Sequence, residues 1–590
     1  MRKILLAVTL FLAAVAPAMA APNADLAQLF KDYDEAGLRA SPSSALWRGD
    51  MRYLDRYEDN LTPEFLVEQR KENADFRARL AAVDRASLDA EDQLSYDIFA
   101  YTLDDDARGL APGIADHFQM IPIDQFNGAH IGFAIEMQWR SRYPFNAAGD
   151  YEKAISRMKG FARWIDGAIG KMREGAALGI TQPRAIVERL IPQAEEQANA
   201  SEESVFYGPA KNMPDTIKGK ERARLLKDYR AAVADAVLPA YRRLADFLKN
   251  EYLPKARTSV GLSAMPGGRD LYLYLVRHHT TLDRTPDEIH RIGLSEVARI
   301  TAAMEAVKKK VHFKGDLAAF RAFLRSDPQF QFKDRDAMMA AYQAVKAKIA
   351  LGLPKFFDHQ PKTPFEIKFF EDFQAKNQAS ADYEQASLDG LRPGIFHING
   401  YDLPARPTYQ TEVLSVHESI PGHHMQIMLA QENESLPPFR RFGGTTAFVE
   451  GWGLYTESLG KDLGLYTDPY QEFAQLSFDM WRACRLVVDT GMHAGTMTRE
   501  EAIDFMLANT SLTKTDVTAE VERYIAYPGQ ALAYKSGQLD LLRLRDKAQK
   551  ALGAKFDIRK FHDAVLLDGA MPLSILDKQI DGWIAEETKG

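Results

Sequence analysis

The chain has 590 residues, 46% of them hydrophobic and 26% charged, which is the balance of a folded globular protein and excludes an intrinsically disordered one. Its 74 Lys and Arg against 82 Asp and Glu leave a net charge of −8, and no dense basic stripe stands out, which argues against nucleic acid as a partner. A single cysteine, Cys484, excludes an intrachain disulfide and a multi-thiolate metal site.

In chain order, the first twenty residues read as a targeting segment. Arg2 and Lys3 form a positive start, Ile4 to Val15 a short apolar run, and Ala18-Met19-Ala20 an A-x-A cleavage pattern, so that Ala21 would begin the mature chain. The apolar run falls short of the about 20 residues that a membrane span needs. No cysteine follows it to carry a lipid. The expectation is an exported protein, periplasmic or secreted, with no membrane insertion once the signal is cleaved.

Helical patterns follow one another. Leu94 to Leu103, Tyr151 to Arg173, Gly219 to Lys249, Pro286 to Lys309 and Asp336 to Ala350 all carry apolar residues at three- and four-residue spacing. Thr285-Pro286-Asp287-Glu288 reads as a helix start, and Thr498-Arg499-Glu500-Glu501 as a capping box. Strand signals are few: Phe365 to Phe369 alternates apolar and charged residues, and Gly394 to Asn399 is a short run between Pro393 and Gly400. The second run reads as an edge strand, on which His397 and Asn399 would meet an extended peptide. Proline and polar residues cluster between Asp358 and Pro364. They suggest a helical half, 21–355, and a second half, 356–590, that holds the chemistry.

That chemistry centres on His417-Glu418-Ser419-Ile420-Pro421-Gly422-His423-His424, three imidazoles and a carboxylate in eight residues. Zinc peptidases commonly carry H-E-x-x-H on one helix, with both histidines on one face. Here the position four after His417 is Pro421, which lacks an N–H and whose ring clashes with the carbonyl four residues back. His423 comes six residues after His417, out of helical phase, and His424 seven after it, in phase but about 10 Å along the axis. A bulge that absorbs two residues would return His423 to His417, so both His423 and His424 stand as second ligand. Glu418 is the natural general base, taking a proton from water and passing it to a leaving amine. Glu450 sits in an otherwise apolar and small-residue helical stretch, Thr446 to Glu457, where an unpaired carboxylate is costly and a metal removes the cost. Glu457, two turns on, is a candidate partner for a ligand histidine. Of the remaining candidates, Cys484 between Arg482 and Arg485 reads as a small buried residue. The neighbours His278 and His279 face different ways on a helix, and His493 could line a cleft.

HESIPGHH, FVEGWGLYTE and EVERYIAYPGQALAYKSG together resemble the bacterial DUF885 family, which itself resembles the gluzincin metallopeptidases. The resemblance spans most of the mature chain, is strongest from Arg392 to Leu573, and includes His279-Thr280-Thr281 through Glu288-Ile289-His290. The family pattern H-E-x-x-P-G-H-[HY] admits tyrosine at its last position, which favours His423 over His424. A more distant likeness is to angiotensin-converting-enzyme-like and oligopeptidase-type peptidases, whose H-E-x-G-H lacks the Ile420-Pro421 insertion. Their stretch between the second histidine and the ligand glutamate is similar to Leu436 through Glu450.

The resemblance implies a mainly α, zincin-like metallopeptidase with a deep cleft and a small β-sheet next to the H-E helix. Its ligands would be His417, His423 and Glu450 on Zn2+, with Glu418 as base. A tyrosine on a later helix would donate to the oxyanion, Tyr534 first and Tyr524 second, and Arg523 would hold a substrate carboxylate. Short peptides are the expected substrates. An amidase acting on cell-wall peptides and a non-catalytic binding protein with a zincin shell are the alternatives. The oligomeric state is left open.

Overall fold

The computed structural model of the chain describes residues 23–199, 201–371, 375, 379–386 and 392–589. The expected targeting segment, residues 1–20, lies outside them.

The helical patterns become helices with slightly wider bounds. Those used below are α1 (Ala90–Gly109), α2 (Ala148–Leu178), α3 (Gly219–Ala232), α4 (Leu238–Phe247), α5 (Gly268–Thr280), α6 (Pro286–Lys310) and α7 (Arg335–Gly352). The Thr285 hydroxyl accepts from the Glu288 N–H, and the Glu288 carboxylate accepts from the Thr285 N–H, closing the capping box of α6. The pattern Gly219 to Lys249 is not one regular helix. It passes through wider π turns at Val233–Val237 and Leu248–Tyr252. The first of these precedes Pro239, whose missing N–H cannot continue the regular ladder.

Three strands follow: β1 (Phe365–Phe369), β2 (Ala381–Glu384) and β3 (Gly394–Ile398). The order is β1-β3-β2, with β1 parallel and β2 antiparallel to β3. The expectation that His397 and Asn399 lie on an edge strand is therefore corrected. β3 is the central strand, with both of its edges taken up by ladder hydrogen bonds. Asn399, just after it, is buried and donates to the carbonyls of Ala375 and Ala379. The edge strand β2 has the sequence Ala-Asp-Tyr-Glu, too short and too polar to announce itself.

The second half continues with α8 (Thr411–Glu418), α9 (His423–Glu432), α10 (Thr446–Leu459), α11 (Pro469–Ala494), α12 (Lys514–Ala526) and α13 (Leu532–Leu552). Leu414 of α8 packs with Met338 and Tyr342 of α7 against the sheet residues Phe365, Ile367, Phe396 and Ile398, so the small sheet does flank the H-E helix. Hydrophobic residues from Leu46 to Ile580 join in one core that runs through both halves.

Two helix crossings rest on glycine. α6 lies along α11, and a Cβ on Gly293 would stand 2.8 Å from the Leu486 Cβ. α10 crosses α13, where a Cβ on Gly451 would stand 2.5 Å from the Gly537 Cα. Backbones this close exclude any side chain at the crossing.

Candidate metal centre

The histidine run does not form one helix with a bulge, as the spacing had suggested. α8 ends at Glu418, residues 419–422 make a turn, and α9 begins anew at His423. The expected bulge is replaced by this break because Pro421 and Gly422 do more than loosen a ladder. A Cβ on Gly422 would lie 1.9 Å from the His417 carbonyl oxygen and 2.3 Å from that of Val416. The chain folds back over the end of α8, and only glycine fits there. α10 then clamps the joint: the Trp452 Nε1–H donates to the Pro421 carbonyl at 2.8 Å, and the Thr456 hydroxyl donates to the Val416 carbonyl at 3.0 Å.

The turn brings His423 beside His417. Their rings meet edge to face, with centroids 4.7 Å apart. From α10, Glu450 Oε2 stands 3.5 Å from His423 Nε2 and 4.0 Å from His417 Nε2. One donor atom from each of the three residues lies within 4.8 Å of the others. The side chains of His423 and Glu450 keep 12% and 21% of their surface exposed, so the cluster opens to solvent on one side.

His417 is held from behind. Its Nδ1 stands 2.8 Å from Glu457 Oε1; with Glu457 ionised, an Nδ1–H donated to that carboxylate leaves the Nε2 lone pair facing Glu450. Gly453 makes this possible, since a Cβ there would come within 2.8 Å of the imidazole Cε1. His424, by contrast, is turned away: its Nδ1 shares a 2.8 Å hydrogen bond with the Tyr383 hydroxyl, and its Nε2 lies 3.0 Å from the Thr363 carbonyl.

Burial dominates the electrostatics. It pushes the Glu418 carboxyl up to about 7, against the pull of His423, and Glu457 up to about 8, against Arg482. It also drives His417 well below the ordinary imidazole range, helped by the charge of His423. For Glu450 burial pushes upward but loses to His423 and the Tyr534 hydroxyl, which hold the carboxyl below its usual value. For His423 burial pushes downward but loses to Glu450.

These residues fit zinc. Two imidazoles and a carboxylate are a catalytic zinc set, and donors about 2.0–2.2 Å from one tetrahedral ion stand roughly 3.3–3.6 Å apart. The 3.5 Å separation lies in that range and the 4.0 Å one just beyond it. Among the described residues, the His423 Nδ1 is sealed from solvent with no hydrogen-bond partner.

The later tyrosines separate clearly. The Tyr534 ring lies under the Arg485 guanidinium, 4.5 Å from its centroid, and its hydroxyl is next to Glu450 and 3.4 Å from Arg523 Nη2. Tyr524 is fully buried, donates its one proton to Glu520 at 2.6 Å and accepts from Arg485 Nε at 2.9 Å and Trp481 Nε1 at 3.1 Å. It has no proton left for an oxyanion. His493 is likewise engaged, by the Leu262 N–H and the Tyr524 carbonyl, and His278 by Asp105.

In the sequence Arg482 and Arg485 stand out only as neighbours of Cys484. Both are buried on α11, and Arg482 acts on the charge of His417, Glu418, His423 and Glu457 alike. The signal was two arginines at i, i+3 inside an apolar run, a placement that burial makes costly without a role. Cys484 is an inert buried thiol, pushed up to about 12. A cavity of about 790 Å³, bordered by Arg189, Met492, Arg499 and Glu522, lies apart from the cluster and includes none of its residues.

A family model described as a bacterial protein of unknown function (DUF885) matches residues 42–580. Two solved structures resemble the chain along nearly its whole length. One, "the putative lipoprotein from Colwellia psychrerythraea", is 29% identical with a TM-score of 0.88, covering 95% of this chain and 99% of its own. The other, described as a "putative lipoprotein of unknown function from Shewanella oneidensis", is 18% identical with a TM-score of 0.73, covering 94% and 99%. No curated protein matches the chain.

Proposed function

The chain belongs to the DUF885 family of bacterial proteins, and we propose that it is an exported, zinc-dependent peptidase that hydrolyses short peptides. The observation that carries the reading is the convergence of His417 Nε2, His423 Nε2 and Glu450 Oε2, with Glu418 next in sequence to the first of them. Zinc bound there would act as a Lewis acid, lowering the pKa of water and polarising the scissile carbonyl.

The chain's own groups do the rest. The Glu418 carboxylate takes a proton from the attacking water and returns it to the amine that leaves. The Tyr534 hydroxyl, steadied by Arg485 below its ring and by Arg523 at its oxygen, donates to the oxyanion of the tetrahedral intermediate. Glu457 fixes the tautomer and orientation of His417. The edge strand β2 lies against α8, and Asp382 on it acts on the charge of Glu418, so an extended peptide pairing with that edge would cross the centre. A zincin-like cleft between the helices would admit short or unfolded chains only. Export is supported by the charged and apolar start of the sequence and by the description of the 29% identical structure as a "putative lipoprotein".

The test is metal analysis of the purified protein together with a peptide-hydrolysis screen, on the wild type and on Glu418→Gln. One zinc per chain in both, with turnover in the wild type alone, is the expected result. Full activity in Glu418→Gln, or no metal in either, would overturn the reading.

A further inference from the structure

The turn that carries Tyr534 into the centre is held at one buried point. α12 ends at Ala526 and α13 begins at Leu532, with Tyr534 its third residue. Between them Gly529 takes φ +81°, and a Cβ there would stand 3.2 Å from the Leu275 carbonyl carbon of α5. Its carbonyl accepts from the Leu532 N–H at 3.2 Å, at the start of α13. The next residue, Gln530, places its Nε2 3.5 Å from the Tyr534 hydroxyl and its Oε1 3.1 Å from Arg523 Nη2. The Gly529 N–H is shared between the two carboxyl oxygens of Asp489 on α11, at 3.2 and 3.1 Å. The Tyr272 hydroxyl of α5 donates to Asp489 Oδ1 at 2.7 Å. One side chain thus ties α5, α11 and the turn together.

Packing alone does not call for a carboxylate there. Asp489 is fully buried, and a neutral acceptor would cost less. The titratable groups around it are Tyr272, His493 on α11, whose ring lies 5.0 Å from that of Tyr272, and His290 of α6, which bonds to the neighbouring Thr490. Burial pushes His493 down to about 4, so it supplies no charge near neutral pH. Among the described residues no Lys or Arg pairs with Asp489, and burial pushes its carboxyl up to about 7 against the pull of Tyr272 and Gly529. Both contacts are donors, so the ionised form fits them. An amide does not. The Gly529 nitrogen is nearly equidistant from the two oxygens, so whichever way an asparagine points, its NH2 meets that N–H.

We propose that Asp489, as the carboxylate, is a positioning residue: through Gly529 it sets the place of the Tyr534 hydroxyl beside Glu450. The consequence for turnover rests on the peptidase reading above.

The test uses the full chain loaded with zinc, as wild type, Asp489→Asn and Tyr272→Phe. At about pH 8, where Asp489 is ionised, Asp489→Asn should keep its zinc and unfold in urea no earlier than the wild type, because it removes a buried charge that has no cation. Amide exchange over residues 527–534, read by mass spectrometry, should be about ten-fold faster, the worth of a hydrogen bond to a charged group. Its kcat should fall about a hundred-fold with KM unchanged, the scale of a 1 Å misplacement of a group that acts only in the transition state. Tyr272→Phe removes a donor that favours the carboxylate, so the acid limb of kcat should move to higher pH. Glu418 titrates in the same range, but Tyr272 does not touch it, so that movement reports Asp489. Unchanged exchange over 527–534, a kcat close to that of the wild type, a loss of kcat that follows lost zinc or lost folded protein, a rise in KM at constant kcat, or an acid limb unmoved in Tyr272→Phe would each overturn the inference. Wild-type protein that cleaves no peptide while Asp489→Asn loosens 527–534 would overturn the peptidase reading and leave the hold on Tyr534 standing. Wild-type turnover that Asp489→Asn retains in full would do the reverse.

Discussion

The Nδ1 of His417 stands 2.8 Å from the Oε1 of Glu457, and the contact exists because Gly453, on the same helix as Glu457, presents no side chain to the imidazole. One helix thus supplies a candidate ligand, Glu450, the space for a second ligand's ring, and the carboxylate that orients it. Spacing within Thr446–Leu459 accounts for this: Glu450, Gly453 and Glu457 follow at three and four residues and share one face.

Glu457→Gln keeps an acceptor for the Nδ1–H but removes the charge, and zinc affinity should fall about ten-fold. Glu457→Ala leaves the His417 nitrogen buried without a partner, and affinity should fall about a hundred-fold. Competition against a chromophoric chelator measures both. Unchanged affinity in Glu457→Ala would remove Glu457 from any role at the centre.

Gly453→Ala and Gly451→Ala should fail differently. At 453 the added methyl would meet the end of a side chain, 2.8 Å from the His417 Cε1, so the ring is displaced, metal is lost and the fold survives. At 451 it would meet backbone, 2.5 Å from the Gly537 Cα, so the crossing of α10 and α13 must open. That change should cost about 3 kcal/mol of stability, the upper part of the usual overpacking range. Urea unfolding and metal content, read on both variants, separate the two outcomes.

The long helices and the members of the cluster were legible in the sequence because each leaves a local mark. Apolar spacing marks α2 and α6, and a lone carboxylate among small residues marks Glu450. What was not legible depends on contacts between distant segments. Pro421 announces a disruption after His417, but whether the helix bulges or breaks is decided by the fit of Gly422 against the carbonyls of Val416 and His417. The central place of β3 depends on β2, whose four residues are too few for their alternation to mark a strand. Arg482 and Arg485 acquire meaning only when α11 is seen to lie beside α10 and α13.

The choice between neighbouring histidines has a direct test. His423→Ala should abolish zinc binding. His424→Ala should retain the metal but destabilise the fold by about 1–3 kcal/mol, since the Tyr383 hydroxyl and the Thr363 carbonyl lose their partner. Thermal unfolding with and without zinc reports on both. The wild type and His424→Ala should each gain about 2.7 kcal/mol at a hundred-fold excess of zinc over Kd, and His423→Ala should gain nothing. A metal-dependent shift in His423→Ala and none in His424→Ala would reverse the assignment.

The last prediction concerns the frame that holds α11 and α13 in place. Lys535, 1% exposed, directs its ammonium to Asp479 Oδ1 at 2.5 Å, Gln538 Oε1 at 2.8 Å and Glu296 Oε2 at 2.8 Å. Arg299 closes the group from α6, 2.8 Å from both Asp479 and Glu296. Two cations thus answer two carboxylates, and the four charges come from three helices in both halves of the chain. Lys535→Met keeps the length of the stem but leaves two nearly buried carboxylates with one partner, so unfolding free energy should drop by about 3–5 kcal/mol. The neighbouring Tyr534 would shift with α13, so peptide turnover should fall in proportion to the loss of folded protein and further still. Replacing the whole group by Lys535→Met, Asp479→Leu, Glu296→Met and Arg299→Met should recover most of the stability, because a buried ion cluster replaced by apolar side chains of similar volume is often neutral or stabilising. Recovery of stability without recovery of turnover is the expected signature of a network that positions Tyr534. A Lys535→Met variant as stable as the wild type would show that the cluster holds nothing together.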